Sequence, residues 1–150
     1  MVKYVRPANL STPTMKLSLN ETYLMNCIEG MQLMDAESVD LVVTSPPYDD
    51  LRTYNDSSKW DHEVFKSVAD NLTRVLKTGG VIMWNVNDAT IKGSESGSSF
   101  RQCLYFMDQC GLRLHDTMIY EKTGTAFASG PKSVRYTQIF EYCFILSKGK

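Results

Sequence analysis

The sequence predicts an α/β fold with a mostly parallel sheet, on three observations. Short apolar, β-branched runs alternate with stretches whose apolar residues recur every three or four positions, the pattern of strands and crossover helices. The run "SVDLVVTS" (38–45) is almost continuously apolar, as a strand buried on both faces should be. Two long strand-like runs, 112–120 and 138–147, have no helical pattern between them, which places an antiparallel pair at one edge of the sheet.

In chain order, residues 1–15 carry Pro7, Pro13 and small polar residues and read as a flexible N-terminal arm before a domain over 16–150. "ETYLMNCI" reads as a short strand, and "EGMQLMD" as a short helix capped near Asn26. After the 38–45 strand, Val64, Phe65, Val68, Leu72, Val75 and Leu76 share one helical stripe, with Asp61 as N-cap and Gly79 and Gly80 as the stop. "GVIMWNV" is the next strand. Phe100, Cys103, Leu104 and Met107 mark a second amphipathic helix, ended by Gly111. "LRLHDTMIY" and "QIFEYCFILS" complete the sheet. In such sheets ligands gather at the carboxyl ends of the strands, here "TSPPY" and "NVND" (85–88).

The bulk numbers set bounds. One domain fits 150 residues, and 43% hydrophobic with 22% charged residues is ordinary globular composition. A net charge of -1 excludes a broadly cationic nucleic-acid binder but allows a local basic groove. Cys27, Cys103, Cys110 and Cys143 include no C-x-x-C pair, so they read as free buried thiols in a reducing compartment. "MVKYVRPANL" lacks a signal-peptide core, and no apolar run approaches the ~20 residues of a membrane span, so a cytoplasmic protein with no membrane partner is expected. His62 and His115 have no evident metal partners, and no metal site is expected.

"TSPPYDDLRTYN" (44–55) directly follows the apolar strand. Pro46 and Pro47 fix φ and cannot donate to a ladder, and Ser45 is pushed toward extended geometry by the proline after it. The result is a stiff turn presenting Tyr48. On its own, a Pro-Pro is more often a strand terminator with a packing tyrosine. The full string, however, resembles motif IV of the amino-group DNA methyltransferases, "[DNS]-P-P-[YF]", and its continuation resembles one bacterial and phage branch. "LTRVLKTGGVIMWNVND" is similar to that family's next helix and strand, usually "R-V-L-K-P-G-G". "SFRQCLYFMDQCGLRLHDTMIYEK" and "FEYCFILSKGK" match its following elements, so the resemblance covers nearly all of residues 17–150.

The resemblance implies a Rossmann-like S-adenosylmethionine-dependent methyltransferase sheet and methylation, of the restriction-modification kind, of cytosine N4 or adenine N6 in DNA. The base must be flipped out of the duplex, and Tyr48 is the stacking platform that would replace its neighbours. Ser45 and the Pro46 carbonyl, with Pro47 holding the turn, would accept the amine hydrogens and aim the nitrogen lone pair. A serine hydroxyl is too weak a base to take the proton first, so the proton leaves after transfer. Asn26, Cys27, Thr44 and Ser45 are the implied cofactor contacts. The family's Gly-Asp before the catalytic strand is Met25-Asn26 here, and Asn26 reads equally as a helix N-cap. Asp49, Arg52 and Tyr54, with Lys122, Lys132 and Arg135 from the long loop "EKTGTAFASGPKSVRY", are expected on the DNA side, although that loop also reads as a solvated connection. Asp88 either lines the site or forms a turn.

The family's "F-x-G-x-G" cofactor loop is absent from the sequence. In this branch it follows the target-recognition region, downstream of every segment present. The chain is therefore expected to be the catalytic-motif half of a larger or split methyltransferase, inactive alone and needing a C-terminal half or partner subunit. The alternative is a non-catalytic module that binds DNA or completes a partner. Without the glycine-loop strand, the 39–45 edge would be bare and should re-pair with 20–27 or join a homodimer.

Overall fold

A computed structural model describes residues 2–4, 17–47, 60–123 and 138–149, with backbone only for 2–4. Strand β1 (Val2–Tyr4) runs parallel to β2 (Thr22–Leu24), so part of the expected arm forms a strand. Helix α1 (Cys27–Gln32) starts two residues earlier than expected because Asn26 caps it there, accepting from Ile28 N at 2.9 Å and Glu29 N at 3.5 Å. Strand β3 (Val39–Thr44) follows, then α2 (His62–Val75) and β4 (Leu76–Val86). A small hairpin, β5 (Thr90–Ile91) and β6 (Ser94–Glu95), precedes α3 (Ser98–Asp108). Strands β7 (Arg113–Glu121) and β8 (Phe140–Ser147) close the order.

The main sheet runs β3-β4-β8-β7. The β3–β4 pair is parallel, whereas β8 is antiparallel to both β4 and β7. Three of the four strands therefore point the same way. The expectation of mostly parallel pairing is corrected, because β8 inserts between β4 and β7 and makes two of the three ladders antiparallel.

Helix α2 forms as expected: Asp61 accepts from Glu63 N at 3.1 Å and Val64 N at 3.0 Å, and Phe65, Val68, Ala69, Leu72 and Val75 turn inward. Its stop differs. Leu76 already has extended ψ and opens β4, so Gly79 and Gly80 lie inside the strand. The β3–β4 register moves from Val39↔Leu76 to Leu41↔Val81, so residues 77–80 bulge out of the ladder. Gly79 has φ 83°, and a Cβ on Gly80 would lie 2.9 Å from both Leu76 Cδ1 and Lys77 O. The bulge is held by Gly79 N to Lys148 O at 2.7 Å and Lys148 N to Gly80 O at 3.1 Å. Helix α3 faces inward through Ser99, Gln102, Cys103 and Phe106, leaving Phe100 and Leu104 half exposed and rotating the expected stripe. Gly111 ends it as expected, with φ 69° and a Leu112 N to Phe106 O bond of 2.9 Å.

All three helices bury residues in one core with Ile82, Trp84, Val86, Phe144 and Leu146. The rings of Phe65, Trp84 and Phe106 meet edge-on at 5.2–5.9 Å. By strand alternation, Leu41, Val43, Met118 and Tyr120 point to the other face and are 55–65% exposed. The expectation that β3 is buried on both faces is therefore corrected. β3 also pairs with β4 alone among the described strands, so 20–27 does not re-pair with it; Thr22–Leu24 is engaged with β1 instead. No described helix is long and apolar enough to cross a membrane.

Candidate active site

Because β3 and β4 are parallel, their carboxyl ends emerge side by side. The ladder stops at Thr44↔Trp84, where the two prolines remove the next donors. Ser45 is exposed at this end, Pro46 is buried and Pro47 is half-buried. The turn is thus anchored by a buried proline ring and presents the serine to solvent. Tyr48, Asp49, Arg52, Tyr54, Lys132 and Arg135 lie outside the described residues.

The end of β4 is tied to its neighbours by two polar networks, one on each face of the sheet. On the face away from the helices, the Asn85 amide donates to Glu141 Oε2 at 2.6 Å and the Cys143 thiol donates to Asn85 Oδ1 at 2.9 Å. Lys122 Nζ pairs with Glu141 Oε1 at 2.6 Å. Glu141 is only 8% exposed, and a buried carboxylate needs such partners. Lys122 is therefore anchored beside the strand ends by this pair. Burial, with the Glu141 charge adding, pushes the Cys143 thiol above its ordinary range, so it stays a donor.

On the helix face, buried Asp88 accepts from Ser96 Oγ at 2.9 Å, from Ser99 N at 3.1 Å and from Ser99 Oγ. Gly97 at the N-cap of α3 makes no side-chain cap, and Asp88 takes over that task from the preceding strand end. Asn87, also buried, accepts from Asp88 N at 2.9 Å. Sequence reasoning missed this long-range cap, because a cap normally lies one or two residues before its helix.

Asn26 and Cys27 open α1, and both Asn26 bonds to the helix use Oδ1. Only the amide NH2 of Asn26 remains for another partner, which narrows the two-edged contact expected of it. No described hydrogen bond joins Asn26 or Cys27 to the β3 end. Cys27 is exposed, correcting the expectation of four buried thiols; Cys103 and Cys143 are buried, and all four are unbridged. His62 stacks on Phe65 at 5.6 Å, and His115 is exposed beside Asp116. No group of metal ligands occurs among the described residues.

A further feature had no sequence signal. The first turns of α2 and α3 flank a cleft lined by Trp60, Asp61, His62, Ser98, Arg101 and Gln102. Trp84, opposite Thr44, donates through Nε1 to Gln102 Oε1 at 2.9 Å, so the cleft lies on the helix side of the strand ends.

The profile of the DNA methylase family matches residues 39–150. The orphan methyltransferase M.BamHII of Bacillus amyloliquefaciens is 58% identical over 113 residues, 75% of this chain and 40% of that protein. The type II methyltransferase M.SmaI of Serratia marcescens is 28% identical over 160 residues, 81% of this chain and 53% of that protein. The chain thus spans about half or less of the length of these curated relatives. Among solved structures, the PvuII DNA methyltransferase, named as cytosine-N4-specific, superposes with TM-score 0.69 at 21% identity, over 85% of this chain and 50% of that chain. A DNA modification methylase of Thermus thermophilus, complexed with S-adenosyl-L-methionine, gives TM-score 0.61 at 20% identity, over 83% of this chain and 51% of that chain. At these identities the two structures establish the fold.

Proposed function

The chain belongs to the DNA methylase family, and we propose that it supplies the catalytic-motif half of an enzyme that methylates an exocyclic amino group of a flipped base in DNA, cytosine N4 or adenine N6. The observation that carries this reading is the Ser45-Pro46-Pro47 turn. It ends a strand inside the matched region, exposes a hydroxyl, and stands beside a β4 end fixed on both faces.

The cofactor of this reading is S-adenosylmethionine, which when bound supplies an electrophilic methyl group on a positively charged sulfur. The chemistry of the donor set fits one wall of such a site. Thr44 and Ser45 offer hydroxyls at the strand end, and Asn26 and Cys27 offer an amide NH2 and a thiol at the start of α1. The chain's own part in transfer is positional. Ser45 Oγ and the Pro46 carbonyl accept the two amine hydrogens, which localises the nitrogen lone pair, and Tyr48 supplies the stack that replaces the base's neighbours. The amine proton leaves to solvent after the nitrogen–carbon bond has formed.

A second reading has its own observation. Leu41 and Val43 are 60% and 65% exposed on a strand that pairs on one side only among the described residues. Apolar strands left this way invite pairing. This favours completion by a further segment, a partner subunit or a second copy, and with it a chain that binds or completes rather than catalyses alone. The named relatives are bacterial, and we place the protein in a bacterial cytoplasm, there or as a phage product.

Calorimetric titration of S-adenosylmethionine into the chain separates the readings. Saturable one-to-one binding means that the site forms within these residues; no binding makes the chain an incomplete half. The half is then fused to the part of M.BamHII outside the matched segment and assayed for methyl transfer to DNA. Activity that Ser45→Ala and Tyr48→Ala each abolish supports the first reading, whereas a folded fusion that binds cofactor and never methylates DNA removes it.

A further inference from the structure

The cleft between the first turns of α2 and α3 encloses about 310 Å³, close to the lower end of ordinary ligand sites. Its lining is chemically mixed in a particular way. Trp60 is half-buried, with part of its ring packed on the core and the remainder available to the cleft. His62 and Arg101 bring imidazole and guanidinium groups, and Gln102 and Ser98 bring amide and hydroxyl groups. The Arg101 guanidinium folds back over the start of α3, where a Cβ on Gly97 would meet its Nη1 at 3.4 Å, and one of its donors goes to the Ser96 carbonyl. The other donors of the fork are suited to an anion with several oxygens. The first turn of α3 carries no acidic residue. The single lining carboxylate, Asp61, is committed to Glu63 N and Val64 N as the cap of α2.

Position completes the argument. Gln102 forms the floor through its bond to Trp84, and Trp84 lies opposite Thr44, the residue before Ser45. A ligand in the cleft would therefore sit one side chain away from the Ser45 turn, on the helix side. An aromatic face, a guanidinium and an imidazole beside a base-handling turn suit one nucleotide of a strand. We propose that the cleft holds the nucleotide adjacent to the target base, its phosphate on Arg101 and His62 and its base against Trp60. This rests on the DNA methylase reading and adds a subsite to it.

The test uses the full 150-residue chain and a short fluorescent single-stranded oligodeoxynucleotide, with affinity measured over a range of salt concentrations. Arg101→Gln should weaken binding about tenfold, equally for all sequences, and lower the slope of log affinity against log salt by about 0.7. Arg101→Lys should keep the slope while losing part of the affinity. Arg113→Gln, at the amino end of β7 and the far end of the sheet, should change neither. Nitrogen-15 spectra of the wild type report the two indoles separately. The Trp60 signal should shift on titration, and that of Trp84, 1% exposed, should shift less. Arg101 is exposed, so its variants should melt with the wild type. DNA binding with an unchanged slope in Arg101→Gln and a still Trp60 indole overturns the subsite and leaves the methylase reading standing. Absence of DNA binding by the wild type overturns the subsite as well, and the methylase reading is then decided separately by the cofactor titration.

Discussion

Replacing Asp88 should cost far more than a turn residue at a strand end normally would. The carboxylate accepts from Ser99 N, Ser99 Oγ and Ser96 Oγ, and both Asp88 and Ser99 are buried. In Asp88→Ala the Ser99 N–H loses its cap, worth about 1 kcal/mol. The Ser99 hydroxyl, with 0% exposure, is left without this acceptor, worth about 1–3 kcal/mol. Ser96 is half-buried and can turn to water, and removing a buried charge returns part of the loss. The net expectation is about 3 kcal/mol, or roughly 6–12 °C in Tm for a domain of this size. Asp88→Asn keeps one acceptor oxygen for Ser99 N and should lose about half as much. Thermal and urea melts of the two variants check this. An Asp88→Ala within about 0.5 kcal/mol of wild type, or an Asn variant worse than the Ala variant, would show that Asp88 does not cap α3.

Three further outcomes are expected. Burial above all, with the Asp70 carboxylate adding and a Thr73 bond opposing, pushes the Cys110 thiol from 9.0 up to about 11. The unfolded chain then releases this proton first, so the stabilisation is complete below about pH 9 and is lost as pH rises toward 11. Cys103, Cys143 and Tyr105 are raised in the same direction, so the readout is the difference in Tm against pH between wild type and Cys110→Ala, which should be the flatter. Gly80→Ala places a Cβ 2.9 Å from Leu76 Cδ1 and Lys77 O, and should cost about 1–3 kcal/mol in urea melts; a neutral result would mean the 77–80 bulge can open without loss. Leu41→Lys with Val43→Lys should leave the melting temperature within about 2 °C, because both side chains are mostly exposed, and should abolish any concentration-dependent association seen by light scattering. A large loss of stability in this pair would mean that the outer face of β3 is covered in solution.

Much of this fold is legible locally, and the failures share a cause. Asp61, the Phe65–Val75 stripe and Gly111 act within one or two turns of themselves, so spacing reveals them. The S-P-P turn is equally local: its prolines end the ladder wherever they stand. What pattern could not show depends on partners far along the chain. Gly79 and Gly80 look like a helix stop, but their role is set by Lys148, which clamps the bulge from the end of β8. The β3 run is apolar enough for two buried faces, but whether both are covered depends on which helices the other strands bring. The stripe of α3 rotates because Trp84 and Asp88 draw Gln102 and Ser99 inward. For the site, the family motif located the turn, whereas the Asn85–Glu141–Lys122 network and the cleft arise only when three strands and two helices meet.

The two faces of the sheet assign different tasks to the same strand end. On the helix face, Asp88 and Gln102 fix the first turn of α3 against β4, and the cleft opens beside them. On the other face, Asn85, Glu141 and Lys122 are already charge-paired and hydrogen-bonded. A segment that covered this face would bury a satisfied network, not an orphaned carboxylate, so the desolvation cost of completing the sheet is largely met in advance. It would rest on Leu41, Val43, Met118 and Tyr120, which flank the network and are exposed. Ser45 stands at the junction of the two faces. In the proposed reading the DNA strand approaches from the helix side and the completing segment from the open side, and the Pro46–Pro47 turn is stiff because the serine must keep its place between them.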